Sequence, residues 1–316
     1  MSVKGRVAIV TGSGRGLGRE YALLLASHGA KVVVNDYGGT LEGEAGTSTT
    51  AQAVADEITK AGGIAIADGH DVSDKASTIK IVERTVAEFG RVDILVNNAG
   101  ISGKPSSHAD LDGPAFMRVM EIAVLGSQYM TSAVWNIMEK QKYGRIVNVS
   151  SDAIIGFGAG GDCAYSASKG ATFALTRDLG RFSITKGIKL NAIMPSGTSR
   201  MGDLSDGSKM ITRTYFAADK CAPMLMALCS DECPVSGECF ATGANRAARM
   251  TLATFPGHSH ETTAQGFIDN WSAVFGDVKD AYIPSSTIDH VRYGVKLASG
   301  IDVPDIGAFG VVPSGN

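Results

Sequence analysis

Two residues four positions apart, Tyr165 and Lys169, carry the strongest chemical signal in this sequence. A helix-forming run from Ala171 to Leu179 follows them, so the i, i+4 spacing places both side chains on one helix face. A phenol loses its proton near pH ~10, and a neighbouring ammonium group favours the charged phenolate. The pair could therefore move a proton at neutral pH.

The Tyr-Lys spacing is common by chance, and three further motifs give it weight. They are a glycine-rich turn at residues 11–18, an Asn-Asn-Ala-Gly turn at residues 97–100 and the pair Ser150-Ser151 upstream of the tyrosine. Where these three motifs are absent, a Tyr-Lys pair with this spacing is more commonly a solvated pair on an ordinary helix. With all the motifs present in this order, the sequence favours a catalytic pair.

The glycine-rich turn predicts a site for the phosphates of a dinucleotide. It follows a strand-like run, Val7 to Thr11, and opens a helix whose N-terminus offers free N–H groups to an anion. Asp36 ends the next strand, where a carboxylate accepts hydrogen bonds from the adenosine ribose and repels a 2′-phosphate. Arg15 has the opposite effect, because a cation there could hold that phosphate. The sequence predicts NAD in preference to NADP, since Asp36 is the more direct discriminator.

The composition excludes several classes of protein. The chain has 316 residues, of which 44% are hydrophobic and 19% charged, as expected for a globular domain with an extension. A net charge of -3 without a basic cluster argues against nucleic-acid binding. No apolar run reaches the ~18 residues of a membrane helix, and the N-terminus lacks a signal-peptide pattern. We expect a cytoplasmic protein with no membrane partner.

Four of the five cysteines lie within 19 residues, which raises the possibility of a zinc site. These are Cys221, Cys229, Cys233 and Cys239. No Cys-x-x-Cys pair occurs among them and no histidine lies nearby, so the spacing does not fit a zinc site. The sequence predicts buried free thiols and no metal.

Strand-like and helix-like segments alternate through the first two-thirds of the chain. The strands are continuous Val/Ile-rich runs, which predict burial on both faces of a parallel sheet. The predicted fold is therefore α/β, a Rossmann-type doubly wound parallel sheet in a single domain with a C-terminal extension. Strands are predicted at Val7–Thr11, Lys31–Asp36, Ile64–Ala67, Ile94–Val96, Arg145–Val149, Gly187–Ile193 and, as the last strand, Glu238–Thr242. Helices are predicted at Leu17–Ser27, Ala51–Lys60, Lys75–Phe89, Ala115–Lys140 with a break near Gly126, Tyr165–Ile184, Ala222–Ser230 and Thr262–Phe275.

The alternation of strand-like and helix-like segments becomes less regular after Pro195. This change is the basis for the predicted domain organisation. Residues 1–244 are predicted to form the NAD(P)-binding and catalytic domain. Residues 245–316 are predicted to form an extension, with one helix and a Pro/Gly-punctuated tail, that shapes the substrate pocket or oligomer contacts.

Together these motifs resemble the short-chain dehydrogenase/reductase superfamily over about Arg6 to Thr242. Two runs, residues 32–39 and 141–146, look more closely like the (3R)-hydroxyacyl-CoA dehydrogenase units of peroxisomal multifunctional enzymes type 2 and their bacterial stand-alone relatives. This resemblance implies an oxidoreductase that transfers a hydride between nicotinamide and a secondary alcohol or ketone. The implied substrate is a 3-hydroxyacyl-CoA or a bulky alicyclic or steroid alcohol, and the implied assembly is a homodimer or homotetramer.

The resemblance also assigns roles to individual residues. Tyr165 would be the general acid/base, Lys169 would lower its pKa and bind the nicotinamide ribose, and Ser151 would orient the substrate oxygen. The implied cofactor-binding residues are Gly12, Ser13, Arg15, Gly16, Leu17, Gly18, Asp36, Asp71, Val72, Asn98, Ala99, Gly100, Tyr165, Lys169, Pro195, Gly197, Thr198 and Ser199. Basic residues that could meet the phosphates of an acyl-CoA are Arg200, Lys209, Arg213, Arg246 and Arg249.

The Ser-Tyr separation departs from the superfamily pattern. Ser151 lies 14 residues before Tyr165, where the usual separation is 13. The residue at the usual separation is Asp152, a poor substitute because it is an anion beside a developing phenolate. We therefore expect a one-residue insertion within Ile154 to Gly161, with Ser151 as the active serine and Ser150 as the fallback.

A second departure lies on the helix before the catalytic strand. Many superfamily members carry Asn there, and the closer relatives carry His, but this chain carries Ala123. An alanine side chain cannot hold a water for a proton relay, so proton exchange with bulk solvent would need another route. The alternative function is a catalytically impaired dinucleotide-binding protein that serves as a sensor or assembly partner.

Overall fold

The chain separates into two compact units, Met1–Met250 and Thr251–Asn316. The computed structural model describes residues 2–44, 46, 49–104, 109–156, 163–197, 216–259, 263–302 and 304. No helix within these ranges is both long and apolar enough to cross a membrane.

Strands of the first unit form one sheet with the order β3-β2-β1-β4-β5-β6-β7-β8. The strands are β1 Val7–Thr11, β2 Lys31–Asn35, β3 Ile64–Asp68, β4 Ile94–Asn97, β5 Gly144–Val149, β6 Ile188–Pro195, β7 Cys239–Gly243 and β8 Arg246–Met250. Strands β1 to β7 pair in parallel. The strand order reverses between β1 and β4, so the carboxyl ends of these two strands border a crevice suited to a ligand. The predicted Rossmann-type sheet is confirmed.

Helices cover both faces of this sheet, as the apolar strands predicted. The helices of the first unit are α1 Gly16–Ser27, α2 Thr49–Lys60, α3 Lys75–Phe89, α4 Gly113–Met120, α5 Gly126–Gln141, α6 Cys163–Ser183 and α7 Ala222–Cys229. One core cluster joins α1, α2 and α7 to the sheet, and a second joins α3, α4 and α5 to the opposite face. A π-helical turn, Glu121–Leu125, separates α4 from α5, close to the break predicted near Gly126.

One strand of the first unit was not predicted. The sequence pattern made Glu238–Thr242 the last strand, which is wrong, because β8 follows and pairs antiparallel with β7. Ala244 and Asn245 form the turn, both with positive φ (49° and 60°), as in a two-residue hairpin. The β8 sequence is Arg-Ala-Ala-Arg-Met, so it lacks the Val/Ile run that marks the other strands.

The second unit contains more helix than the sequence pattern predicted. The single helix predicted at Thr262–Phe275 is divided at Asn270 into α8 Ala264–Asp269 and α9 Trp271–Phe275. A further helix, α10 Thr287–Ser299, lies where a Pro/Gly-punctuated tail was predicted, so that part of the prediction is wrong. Tyr282 stacks on Tyr293 of this helix with ring centroids 4.1 Å apart.

Candidate active site

The glycine-rich turn between β1 and α1 packs tightly against the turn that follows β4. A Cβ atom at Gly18 would lie 2.3 Å from the Gly12 carbonyl oxygen and 2.5 Å from Asn98 Nδ2. No side chain fits at that distance, so position 18 must be glycine. Close packing of the first helix brings its N-terminus, with its free N–H groups, to the edge of the sheet.

Asn98 holds the two turns together. Its Nδ2 donates to the carbonyl oxygens of Thr11 and Gly12, both at 2.9 Å. The Thr11 hydroxyl oxygen accepts in return from the backbone N–H groups of Asn98 and Ala99, at 3.1 and 3.0 Å. The side chain of Asn98 therefore builds the floor of the crevice, and Thr11, the first residue of the glycine-rich turn, is its partner.

Asp36 follows β2 directly, and backbone amides fix its orientation. Oδ2 accepts from the Gly14 N–H at 2.8 Å and Oδ1 from the Gly38 N–H at 2.7 Å. A Cβ atom at Gly14 would lie 2.8 Å from Asp36 Oδ2 and 2.7 Å from Thr50 Oγ1, so a larger residue there would displace these side chains. Each carboxylate oxygen accepts two bonds or more, so Asp36 retains capacity to accept from a ligand hydroxyl.

A cleft at this edge of the sheet collects most of the predicted nucleotide-side residues. Its lining includes Gly12, Arg15, Gly16, Leu17, Gly18, Asp36, Asp71, Val72, Asn98, Ala99 and Gly100. Ser13 is buried beside it, and its hydroxyl donates to the Val10 carbonyl at 2.7 Å, so this side chain faces the protein. Pro195 ends β6 and Gly197 follows it, while Thr198 and Ser199 lie outside the described residues.

Arg118 is a lining residue that no sequence motif indicated. It reaches from α4 and ion-pairs with Asp71 at 3.3 Å between Nη2 and Oδ2. Its other nitrogens donate to the Ser73 hydroxyl at 2.8 Å and to the Gly43 carbonyl at 3.3 Å. Arg118 therefore fixes Asp71 and joins the loop after β2 to the loop after β3.

The structure brings Tyr165, Lys169 and Ser151 together beyond the carboxyl end of β5. The Ser151 hydroxyl hydrogen-bonds to the Tyr165 phenol. The ammonium nitrogen of Lys169 lies 5.5 Å from the Tyr165 ring centroid and donates to the Val149 carbonyl at 2.8 Å. Ser150, the fallback serine, instead donates to the Lys169 carbonyl at 2.9 Å. Ser151 is therefore the serine that contacts the phenol.

The electrostatics of this group differ from the expectation set by the resemblance. Burial raises the pKa of Tyr165 above its ordinary value, the Ser151 hydrogen bond opposes that rise, and the Asp152 charge adds to it. The resemblance implies that Lys169 lowers this pKa, but the pKa is raised overall, and the groups that shift it are the surrounding protein, Ser151 and Asp152. The lysine is directed at the Val149 carbonyl, and burial lowers its own pKa to about 8.

Ala123, the second departure from the superfamily pattern, lies within the π-helical turn. Its side chain is buried and its carbonyl accepts from the Ser127 hydroxyl at 2.7 Å. A π turn widens the helix and often marks a functional site. Here it offers the neighbouring cleft no side-chain hydrogen-bonding group at position 123.

The remaining candidate residues fall into two groups. Cys221, Cys229, Cys233 and Cys239 are buried free thiols, as predicted. Arg246 and Arg249 lie on β8, and Arg249 pairs with Glu238 at 2.9 Å. The other basic candidates for an acyl-CoA, Arg200, Lys209 and Arg213, lie outside the described residues.

The sheet is doubly wound, and its glycine-rich turn lies where the strand order reverses, with the Ser-Tyr-Lys group beside it. This arrangement is typical of nucleotide-binding oxidoreductases. The family model for short chain dehydrogenases matches residues 6–205. The chain therefore belongs to the short-chain dehydrogenase/reductase family.

Similar proteins include much longer ones. The peroxisomal hydratase-dehydrogenase-epimerase of Saccharomyces cerevisiae is 36% identical over 279 residues, which cover 87% of this chain and 30% of that protein. The peroxisomal multifunctional enzyme type 2 of Drosophila melanogaster is 40% identical over 250 residues, which cover 78% of this chain and 40% of that protein. This chain therefore spans less than half the length of either relative.

A solved structure of similar fold is that of a 7α-hydroxysteroid dehydrogenase complexed with NADH and 7-oxo glycochenodeoxycholic acid. It superposes with a TM-score of 0.66 and 29% identity, covering 77% of this chain and 94% of that one.

Proposed function

We propose that this protein is an NAD-dependent dehydrogenase that interconverts a secondary alcohol and its ketone, with a 3-hydroxyacyl-CoA as the leading substrate class. One observation carries the proposal. Ser151 hydrogen-bonds to the Tyr165 phenol, and Lys169 lies 5.5 Å from the phenol ring, at the edge of the sheet that bears the glycine cradle.

The residues of the cleft fit a dinucleotide. A Cβ atom at Gly18 would fill the cradle, and the Asp36 carboxylate is fixed beside it by the Gly14 and Gly38 amides. In this proposal the turn holds the pyrophosphate, Asp36 holds the adenosine ribose hydroxyls, and Asp71 with its neighbour Val72 holds the adenine. When bound, the nicotinamide supplies a hydride acceptor.

The protein's own residues then manage the proton. Tyr165 accepts the hydroxyl proton of the alcohol, and Ser151 donates to the substrate oxygen or to the phenolate. Lys169 supplies a buried positive charge that stabilises negative charge on the phenol oxygen. Because burial raises the pKa of Tyr165, the phenolate fraction and the oxidation rate grow as the pH rises.

The choice of substrate class follows the relatives. Two similar proteins are named as a peroxisomal hydratase-dehydrogenase-epimerase and a multifunctional enzyme, which supports a 3-hydroxyacyl-CoA. The similar structure that contains a bile-acid derivative favours a steroid or other bulky alicyclic alcohol as the second candidate. We further propose a cytoplasmic homodimer or homotetramer, although the two relatives are named as peroxisomal.

A spectrophotometric panel tests the proposed function. Reduced nicotinamide would be followed by absorbance, with NAD and NADP in parallel, against a 3-hydroxyacyl-CoA, a hydroxysteroid and a bulky aryl alcohol. We expect turnover of the acyl-CoA with NAD, and preference for the steroid would select the second candidate. No turnover of any member, with NAD binding intact, would support the alternative of a dinucleotide-binding sensor or assembly protein.

Cofactor preference is expected to change when the charge of Asp36 is removed. Asp36→Asn keeps an acceptor oxygen for the loop amides but no longer repels a 2′-phosphate. We expect the ratio of kcat/KM for NAD over NADP to fall roughly 10- to 100-fold, or about 1.4 to 3 kcal/mol. Asp56→Asn, an exposed carboxylate on α2, is the matched control. An unchanged ratio would mean that Asp36 does not discriminate between the two cofactors.

A further inference from the structure

Oxidation of an alcohol leaves a proton on Tyr165, and each turnover must return it to solvent. This requirement rests on the proposed function. Position 123, where the resemblance to the superfamily implies a side chain able to hold a relay water, is alanine in this chain. Another group must therefore connect the phenol to solvent.

Ser151 and Asp152 supply such a connection. The Ser151 hydroxyl hydrogen-bonds to the Tyr165 phenol on one side and donates to Asp152 Oδ1, 3.1 Å away, on the other. Asp152 is exposed to solvent. Its second oxygen, Oδ2, accepts from the Ser196 hydroxyl at 3.2 Å, which holds the carboxylate in place.

Local structure fixes the direction in which the serine hydroxyl points. Ser151 caps the short 3-10 helix Asp152–Ile155, and its oxygen accepts from the Ala153 N–H at 3.1 Å. A hydroxyl has one proton and two lone pairs. With one lone pair on Ala153, Ser151 donates its proton to Asp152 while the phenol is protonated and donates to the other lone pair. Once the phenolate has formed, Ser151 donates to it instead, which is why this hydrogen bond opposes the rise in the pKa of Tyr165.

We propose that Asp152 removes the proton from Tyr165 through the Ser151 hydroxyl and delivers it to solvent. The phenol O–H bond breaks as an O–H bond forms on Ser151 Oγ. The original Ser151 O–H bond breaks as one forms on the Asp152 carboxylate, and the carboxyl group then gives its proton to water. The phenolate and the serine hydroxyl are restored, and no electrons leave the three groups.

The rate of this relay is compatible with turnover. Phenols and carboxylic acids in general differ in pKa by roughly 6 units, and burial of Tyr165 widens this gap, so a proton moving this way meets an equilibrium factor of at least about 10⁶. Against an attempt frequency of about 6 × 10¹² per second, at most roughly 10⁶ transfers per second remain. Typical turnover numbers lie at about 1 to 10³ per second, which this upper limit exceeds by a wide margin.

If Asp152 acted only through its charge, its neutralisation would change the rate of alcohol oxidation in the opposite direction from the loss of a relay. Within the described residues, the charged groups beside the phenol are Asp152 itself and Lys169, which is directed at Val149. The Asp152 charge raises the pKa of Tyr165, so removing that charge alone would increase the phenolate fraction and speed oxidation at neutral pH. Loss of a relay slows it instead.

The test measures alcohol oxidation by Asp152→Asn, which keeps an acceptor oxygen for Ser151 but cannot carry the proton. We expect kcat at pH 7 to fall about 10-fold or more, with NAD binding unchanged. In Asp152→Ala, added formate or acetate is expected to restore activity several-fold, which a structural role would not predict. The matched control is Asp178→Asn, an exposed carboxylate on α6.

Two outcomes would overturn the relay. One is an Asp152→Asn enzyme as fast as or faster than the wild type at pH 7. The other is an Asp152→Ala enzyme that binds NAD as the wild type does but whose activity neither formate nor acetate restores. Intact NAD binding shows that such a variant is folded, so a failure of rescue counts against the relay. Failure of the proposed function is recognised separately, as absence of wild-type turnover.

Discussion

Replacement of Tyr165 by phenylalanine is expected to lower the turnover of alcohol oxidation by about 10²- to 10⁴-fold, the range that a positioned acid or base contributes. The variant loses one hydroxyl group and keeps the half-buried ring on α6. Ser151 loses its hydrogen bond to the phenol but keeps those to Ala153 and Asp152. The substitution therefore isolates the proton-transfer function.

Two measurements separate this expectation from a general loss of structure. NAD binding, followed by quenching of protein fluorescence, is expected to remain within a factor of a few. Tyr129→Phe, a half-buried tyrosine on α5, is the matched control for loss of a phenol hydroxyl. A Tyr165→Phe enzyme with substantial activity would show that the substrate proton goes elsewhere and that the proposed mechanism is wrong.

The pH profile gives an independent check on Tyr165. Oxidation requires the phenolate, and burial raises the pKa of this phenol above its ordinary value. The wild-type rate of oxidation is therefore expected to rise with pH toward the alkaline limit, and the rate of ketone reduction to rise as pH falls. The residual activity of Tyr165→Phe is expected to lack this dependence.

Much of the fold could be predicted because local signals agreed with the tertiary structure. The range predicted for α3 is the observed one, Lys75–Phe89. Asp74 caps that helix by accepting from the Ser77 N–H, and Gly90 ends it with a φ of 78°. Strand β8 could not be predicted from a Val/Ile pattern, because its arginines and alanines become a strand only by pairing with β7.

The helix α10 was missed for a different reason. Ser286 accepts from the Asp289 N–H at its start, and Gly300 follows it with a φ of 74°. Both capping signals are therefore present in the sequence. The neighbouring proline and glycine residues favour an irregular tail, and this signal concealed the two caps.

The sequence predicts those residues of the candidate active site that belong to one motif. It does not predict contacts between segments that are distant along the chain. Tyr165 and Lys169 follow from a spacing on one helix. The roles of Gly14 and Arg118 depend on segments that meet only in the folded chain, such as Gly14 with Asp36 and Arg118 with Gly43. The environment of Lys169 likewise depends on where β5 ends, which no spacing along the helix reveals.

Replacement of Lys169 by methionine is expected to reduce activity by about 10²-fold or more while making the protein more stable near pH 7. Burial lowers the pKa of Lys169 to about 8. An amine in the unfolded chain titrates near ~10.4, so below pH 8 the folded protein bears the full cost of a buried ammonium. A shift of about 2 pKa units corresponds to ~3 kcal/mol.

The substitution recovers only part of this cost. Methionine fills a similar volume without charge, but the Val149 carbonyl loses its donor, at a cost of about 1 kcal/mol or more. The expected net gain in the free energy of unfolding is therefore about 1 to 2 kcal/mol at pH 7. Urea denaturation without NAD measures it, and Lys60→Met, an exposed lysine that ends α2, is the control.

The sign of the pH dependence identifies the lysine as the source of this effect. Between pH 8 and about 10 the unfolded chain binds more protons at this position than the folded one, so Lys169 makes wild-type stability rise with pH there. Buried thiols such as Cys221, whose pKa burial raises to about 11, act in the opposite direction but are common to both proteins. The stability advantage of the variant is therefore expected to fall by about 3 kcal/mol across this window and to change sign, because only the lost donor to Val149 then separates the two proteins. If the free energies of unfolding of variant and wild type depend on pH in the same way, burial of the ammonium is not costly. A variant that is less active but more stable at pH 7 would show that the site keeps this charge for chemistry although it destabilises the fold.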